Sequence, residues 1–217
     1  MNRRETIRAI QGILSRVQER EGFTTKTKLV KFLYLLDLEQ YRETGQILTG
    51  FAWRFYLYGP WTEEFDEVFA EMRATGAIVV QAGTRLDLDT QFLTTADRVD
   101  LDAAISNQAV ASRLRRYVDG WADRSTGELL DYVYFSTSPM EGAQPGEDLD
   151  FSLVRDEPPA LFFIQSRAEG RAVVAARAAI ERGMPRPEQQ ARGGPVEARY
   201  DEAYERIDAT LSDDDDY

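Results

Sequence analysis

The 217-residue chain contains neither cysteine nor histidine. Without cysteine there is no disulfide framework and no thiolate to act as nucleophile or metal ligand. Without histidine the Ser-His, Cys-His and His-metal arrangements fall away, and with them every common zinc site. No apolar run approaches the roughly 20 residues of a membrane span, and the opening MNRRETIRAI lacks the apolar core of a signal peptide. A phosphate-binding glycine loop is also missing. These absences, with an Ala/Arg-rich composition, place the expected protein in a bacterial cytoplasm, away from membranes and without a cofactor or metal.

What is present suits a folded domain: 43% of residues are hydrophobic and the net charge is −12. So large a negative charge repels nucleic acid and keeps the chain soluble. Its distribution is uneven. Arg3, Arg4, Arg8, Arg16, Arg20, Lys26, Lys28 and Lys31 stand against Glu5, Glu19 and Glu21 in the first 35 residues, a local balance of 8 − 3 = +5, whereas the chain closes on DATLSDDDDY. The basic stretch is either a solvated helix face or a surface for an acidic partner or for self-association.

Hydrophobic spacing predicts mostly helices. Ile7, Ile10, Leu14 and Val17 mark one buried stripe on a first helix that Gly22 ends. Thr24 or Thr25 caps a second, with Phe23 as a hydrophobic staple. This second helix is apolar nearly all round and is expected to be the central helix of the domain. Gly45 stops it. Residues 51 to 58 then read as an aromatic strand buried on both faces, Gly59-Pro60 as a turn, and Thr62-Glu63-Glu64 as the start of a third helix with an inner stripe of Trp61, Phe65, Val68, Phe69 and Met72.

A β-hairpin is expected around Ala82-Gly83-Thr84. Thr94 or Thr95 caps the helical stretch after it, Val110, Leu114, Tyr117 and Trp121 mark a one-sided helix, and Ser125 and Glu128 form a capping box for another. Residues 136–165 are rich in turn residues and read as a polar surface connection, with LFFIQ as a short buried anchor. C-terminal helices over 166–211, joined by a Pro/Gly linker at 183–196, and an acidic tail at 212–217 complete the organisation. The expected fold class is mainly α (α+β): a helical domain over residues 1–135 around a central apolar helix, with a small antiparallel hairpin and short strands, plus a C-terminal helical extension.

The stretch KLVKFLYLLDLEQYRETGQILTG followed by WRFYLYGP resembles the Panacea domain, also called the SocA-like antitoxin domain. The matching positions are Lys28, Leu29, Lys31, Phe32, Leu33, Tyr34, Gly45, Leu48, Thr49, Gly50, Trp53, Tyr58, Gly59 and Pro60. Phe92-Leu93-Thr94 and Thr126 to Val133 are similar to later segments of that family, so the resemblance spans roughly residues 5 to 135. The chain departs from the family at Tyr132-Val133-Tyr134-Phe135, where no histidine stands. The resemblance implies a bacterial antitoxin of a toxin-antitoxin or phage-defence system, not an enzyme, which neutralises a protein toxin encoded beside it by direct contact, or presents it to a protease as an adaptor. A toxin with a basic site handling nucleotides or RNA would be complementary to an acidic antitoxin.

Residues expected to meet a partner are Trp53, Tyr56, Tyr58, Trp61, Tyr132, Tyr134, Tyr200 and Tyr204, because Trp and Tyr are enriched among binding hot spots; the same side chains serve equally as domain core. Asp37, a carboxylate inside YLLDLEQY, is either catalytic or a structural acceptor for Arg54, a lysine, an indole or backbone N–H. Glu63-Glu64 and Asp66-Glu67 are either metal ligands or favourable charges at a helix start. Two other functions compete: a winged-helix-like DNA-binding regulator using Lys26, Lys28, Lys31 and Arg85, and a hydrolase working with carboxylates alone.

Overall fold

A computed structural model describes residues 2–56, 59–85 and 88–154. It contains six α-helices and two small antiparallel hairpins in the order α1 (Arg3–Glu19), α2 (Lys26–Thr44), β1 (Arg54–Tyr56), β2 (Gly59–Trp61), α3 (Glu63–Ala74), β3 (Val79–Arg85), β4 (Leu88–Thr94), α4 (Leu101–Ala104), α5 (Gln108–Trp121) and α6 (Thr126–Ser136). This is the expected mainly helical α+β class. The second and third units of the C-terminal third expected from the sequence, with the LFFIQ anchor, lie outside the described residues.

Helix α2 is the axis of the domain. Leu29, Phe32, Leu33, Tyr34, Leu35 and Leu36 are all fully buried on successive faces of it. At about 1.5–3 kcal/mol per large apolar side chain removed from water, this one helix supplies a large share of the burial energy. Thr25 caps its start by accepting from the Lys28 N–H at 3.2 Å, and Gly45 ends it in the left-handed conformation at φ 68°. Helix α1 lies across it through Ile10, Ile13, Leu14 and Val17. Gly12 lets α4 approach α1: a Cβ there would stand 3.0 Å from the Cβ of Ala104. Helix α5 buries Val110, Leu114, Tyr117, Val118 and Trp121, and α6 starts with the expected capping box of Ser125 and Glu128.

Several local expectations are corrected. Helix α1 ends at Glu19, ahead of Gly22, and Glu21 takes the left-handed conformation at φ 54°. Gly22 is needed for a different reason, since a Cβ on it would fall onto the Ala122 carbonyl. Residues 51–56 bury only one side: Phe51, Trp53 and Phe55 point in and Ala52, Arg54 and Tyr56 point out. Gly59-Pro60 is not the turn but part of β2, whose register pairs Tyr56 with Gly59, Phe55 with Pro60 and Arg54 with Trp61. Ala82-Gly83-Thr84 likewise lies within β3, and the hairpin reverses beyond Arg85, which pairs with Leu88. Neither Thr94 nor Thr95 caps a helix; Asp100 caps α4 and Asn107 caps α5. Trp61 lies on β2, outside the α3 stripe of Phe65, Val68, Phe69 and Met72.

The stretch after α6 runs over the surface as expected, most of residues 141–153 being exposed, and is anchored to the domain at several points as far as residue 154. Short 3-10 turns at Ser138–Met140 and Phe151–Leu153 bury Pro139 and Met140 and set the Phe151 ring edge-on to Tyr34 and Tyr41, 5.9 and 5.8 Å away. Between them, Glu147 accepts from the Phe55 N–H at 2.8 Å and the Leu149 N–H donates to Trp53 at 2.9 Å. The free edge of β1 is thereby closed, which removes an unpaired strand edge.

The two glycine roles separate experimentally. Gly22→Ala forces the α1–α2 connection away from Ala122 and is expected to cost about 2–4 kcal/mol. Gly76→Ala meets no atom within 4 Å and carries only the strain of φ 74°, about 1–2 kcal/mol. Chemical denaturation of both variants checks the ranking; an equal loss contradicts it.

Candidate functional site

Four acidic or basic side chains of α2, Lys28, Lys31, Asp37 and Glu39, are completely buried. Burying a charge is costly unless it is hydrogen-bonded, and each of these has partners. Lys28 Nζ donates to the carbonyls of Ala122 (3.1 Å) and Arg124 (2.8 Å) and lies 3.7 Å from the centre of the Phe23 ring. It thus ties the end of α5 to the start of α2. Lys31 Nζ donates to the Pro60 carbonyl at 2.8 Å and ties β2 to the middle of the helix.

Asp37 collects four donors. Its Oδ1 accepts from the backbone N–H groups of Leu48 and Thr49, both at 2.9 Å, and its Oδ2 accepts from the Thr49 hydroxyl and from the Trp53 indole at 2.7 Å. The Gly-x-x-Leu-Thr-Gly turn and the first aromatic of the strand are therefore wrapped on one carboxylate. Arg54, one of the partners weighed for Asp37, pairs instead with Asp148 at 2.7 Å. Two residues further, on the other side of the helix, Glu39 receives the Tyr117 hydroxyl at 2.8 Å and the guanidinium groups of Arg42 and Arg113, while Tyr132 donates to Tyr117 at 3.4 Å. Lys28, Lys31 and Asp37 act here as internal fasteners, hydrogen-bonded to other segments of the fold.

Burial shifts these groups in a direction that geometry explains. The Lys31 ammonium, deep among apolar neighbours, is lowered to about 7. Burial raises the Asp37 carboxyl to about 6, against the pull of its four donors toward the ionised form. Tyr34 and Tyr117 are pushed up by burial as well.

The residues expected to meet a partner divide sharply. Trp53 and Tyr132 belong to the core, 3% and 4% exposed, and are corrected to structural roles: Trp53 is held by Asp37 and packs between Tyr34 and Phe51, and Tyr132 lies against Tyr117 and Trp121. Tyr134 is half-buried between Phe55, at 5.5 Å, and Phe135. Tyr58, Tyr200 and Tyr204 lie outside the described residues. Tyr56 and Trp61 are brought together on the outer face of the β1–β2 hairpin, with ring centres 5.3 Å apart, Tyr56 being 42% exposed. Alternation along β1 and the Arg54–Trp61 register put Arg54 on that same face.

The basic N-terminal stretch is largely consumed within the fold. Lys28 and Lys31 are internal, Arg3 pairs with Glu67 and Glu71, Arg16 with Glu19 and Asp119, and Lys26 with Asp66. The acidic α3 start is used similarly, for Glu64 accepts from the Ala52 N–H and the Thr62 hydroxyl. Among the described residues no group of three or more carboxylates is arranged to hold a metal ion. No helix there is long and apolar enough to cross a membrane.

No protein-family model matches this chain, and neither a curated protein nor a solved structure does. The Tyr56–Trp61 face is the candidate functional surface on geometry alone. Among the described residues the other large apolar side chains open to solvent are Val79 at the start of β3, Phe135 near the end of α6 and Leu153 after it.

The buried lysine generates a pH dependence. Between about pH 7 and its ordinary value near 10.5, Lys31 is neutral in the folded protein and protonated in the unfolded chain, so stability gained from this group rises with pH across that window and is lost as pH falls through 7. Lys31→Met is expected to abolish the slope, which denaturant melts at pH 7, 8 and 9 will read. An unchanged slope rules out the assignment. For Asp37→Asn, one amide oxygen replaces two carboxylate oxygens before four donors, and the expected loss at pH 7 is about 2–4 kcal/mol.

Proposed function

We propose that this chain is an antitoxin-like protein, without catalytic activity of its own, that binds and neutralises a cognate protein toxin encoded nearby. The observation that carries this reading is the Tyr56–Trp61 pair. Two large aromatic rings face outward on a hairpin that is held from behind by the Lys31–Pro60 bond and along its edge by residues 146–149. Rigid aromatic side chains of this kind supply binding energy at little ordering cost, which is how protein interfaces use Tyr and Trp. The buried polar residues of α2 support the same reading, since their hydrogen-bonding capacity goes into positioning this hairpin and its neighbours. The resemblance of residues 28–60 to the Panacea domain points in that direction too.

Charge favours a protein partner over DNA. The net charge is −12, and α3, which precedes the β3–β4 hairpin as a recognition helix precedes a wing, carries Glu63, Glu64, Asp66, Glu67 and Glu71 against Arg73 alone. Carboxylates at that density oppose approach to phosphates. They suit a basic protein surface, such as the nucleotide- or RNA-handling site of a toxin, and they hasten encounter with it.

Expression of the adjacent gene alone and together with this one tests the reading. Growth arrest by the neighbour, its relief on co-expression and co-purification of the two proteins are the expected results. A harmless neighbour, or toxicity that persists with no complex, overturns it. Within a complex, Tyr56→Ala is expected to weaken binding at least tenfold, about 1.4 kcal/mol or more, with no loss of fold because the side chain is exposed.

A further inference from the structure

The face that presents Tyr56 and Trp61 also presents a charge pattern, and Arg54 shows what that pattern holds. Arg54 lies across from Trp61 in the hairpin register and binds Asp148 through Nε at 2.7 Å. Both side chains are solvent-accessible, 56% and 76% exposed. The hydrogen bond to Asp148, followed by the charges of Glu63 and Glu64 at the start of α3, strengthens the hold of Arg54 on its proton. Asp148 is thus paired with this guanidinium beside two aromatic rings, and Glu64 is anchored nearby by the Ala52 N–H and the Thr62 hydroxyl. Glu63 is exposed. Thr62 is buried and extended at φ −158° and ψ 139°, so Trp61 and Glu63 on either side of it fall on the same, outer side of the chain.

Aromatic faces attract cations, and a carboxylate next to such a face adds a charge-assisted hydrogen bond. An arginine side chain satisfies both demands at once, because its planar guanidinium can lie along a ring while its N–H groups reach sideways to carboxylates. Lysine offers only a point charge. A second copy of this chain is disfavoured as the occupant, since two molecules of charge −12 repel each other.

We propose that the Tyr56–Trp61 face is a receptor for an arginine side chain on a basic segment of a protein partner. The guanidinium lies against the Tyr56 and Trp61 rings and pairs with Glu63 and Asp148, sharing Asp148 with Arg54. This inference rests on the protein-binding reading above and specifies its contact. Binding of this kind weakens with salt, and it distinguishes arginine from a neutral side chain of the same shape.

The chain has three tryptophans, two of them, Trp53 and Trp121, in the core, so the three indole N–H resonances of the full-length protein separate the candidate face from the interior. The probe is the peptide acetyl-Gly-Arg-Gly-Arg-Gly-amide, and its twin with citrulline in place of arginine is the neutral control. The expected result is a saturable shift of the Trp61 indole with the arginine peptide, small or absent with the citrulline peptide, and unshifted Trp53 and Trp121 signals. Glu63→Gln and Tyr56→Ala should each weaken binding at least threefold, whereas Glu5→Gln, on α1, should not. A Trp61 signal that does not move, equal response to citrulline, or equal weakening by Glu5→Gln overturns the proposal. Co-expression with the neighbouring gene separates the two levels: relief of toxicity by the wild type and by Glu63→Gln and Tyr56→Ala alike removes this contact and leaves the antitoxin reading standing, while no relief by the wild type removes that reading and leaves the peptide titration to decide the contact.

Discussion

The Asp37 carboxylate is the constraint from which much of this fold follows. It is fully buried, and its two oxygens accept from two backbone N–H groups, a hydroxyl and an indole, all contributed by residues 48–53. A charge removed from water needs such compensation, and the compensation dictates where the chain goes after α2. The turn through Leu48 and Thr49 must fold back on the helix. Trp53 must point inward, and alternation along the strand then turns Phe51 and Phe55 inward with it and Arg54 and Tyr56 outward. One acceptor deep in a helix thereby decides which aromatics are core and which are surface.

Lys28 and Lys31 extend the same logic along the helix. Each is buried, and each donates to carbonyls of a segment that has no helical partner for them: Ala122 and Arg124 after α5, Pro60 in β2. A helix that was apolar on every face would hold its neighbours by packing alone, which tolerates sliding. Fixed hydrogen bonds from a lysine to a particular carbonyl do not. The β1–β2 hairpin is short, only three residues per strand, and would be marginal by itself. Its rigidity comes from Lys31 on one side and from the ladder to residues 146–149 on the other.

This arrangement separates two kinds of aromatic residue that composition lumps together. Trp53, Tyr117, Tyr132 and Trp121 have partners inside the domain and serve stability. Tyr56 is exposed and Trp61 half-buried, and their rings lie together on the outer face of the hairpin. The carboxylates near it come from two other stretches of chain, Glu63 and Glu64 from the α3 start and Asp148 from the strap after α6, so the charge of the face depends on these meeting the hairpin.

Hydrophobic periodicity, capping residues and glycines were enough to locate α1, α2, α3, α5 and α6, to make α2 central and to give the mainly helical class, because these signals depend on neighbours three or four residues away. The same local signals misplaced both hairpin turns. Gly59-Pro60 and Ala82-Gly83 look like turns in isolation, yet cross-strand register puts them in strands, beside Tyr134 and the Phe92 ring where a side chain on glycine would collide. Nor did Asp37 and Lys31 declare whether they were reagents or fasteners. Their partners lie 11 to 29 residues away in sequence, so only the folded chain brings the donors and acceptors together. The residue types, their order and the net charge are properties of the sequence alone. Which aromatics face water, and which carboxylates stand beside them, was decided by long-range hydrogen bonds that exist only once α2 is surrounded.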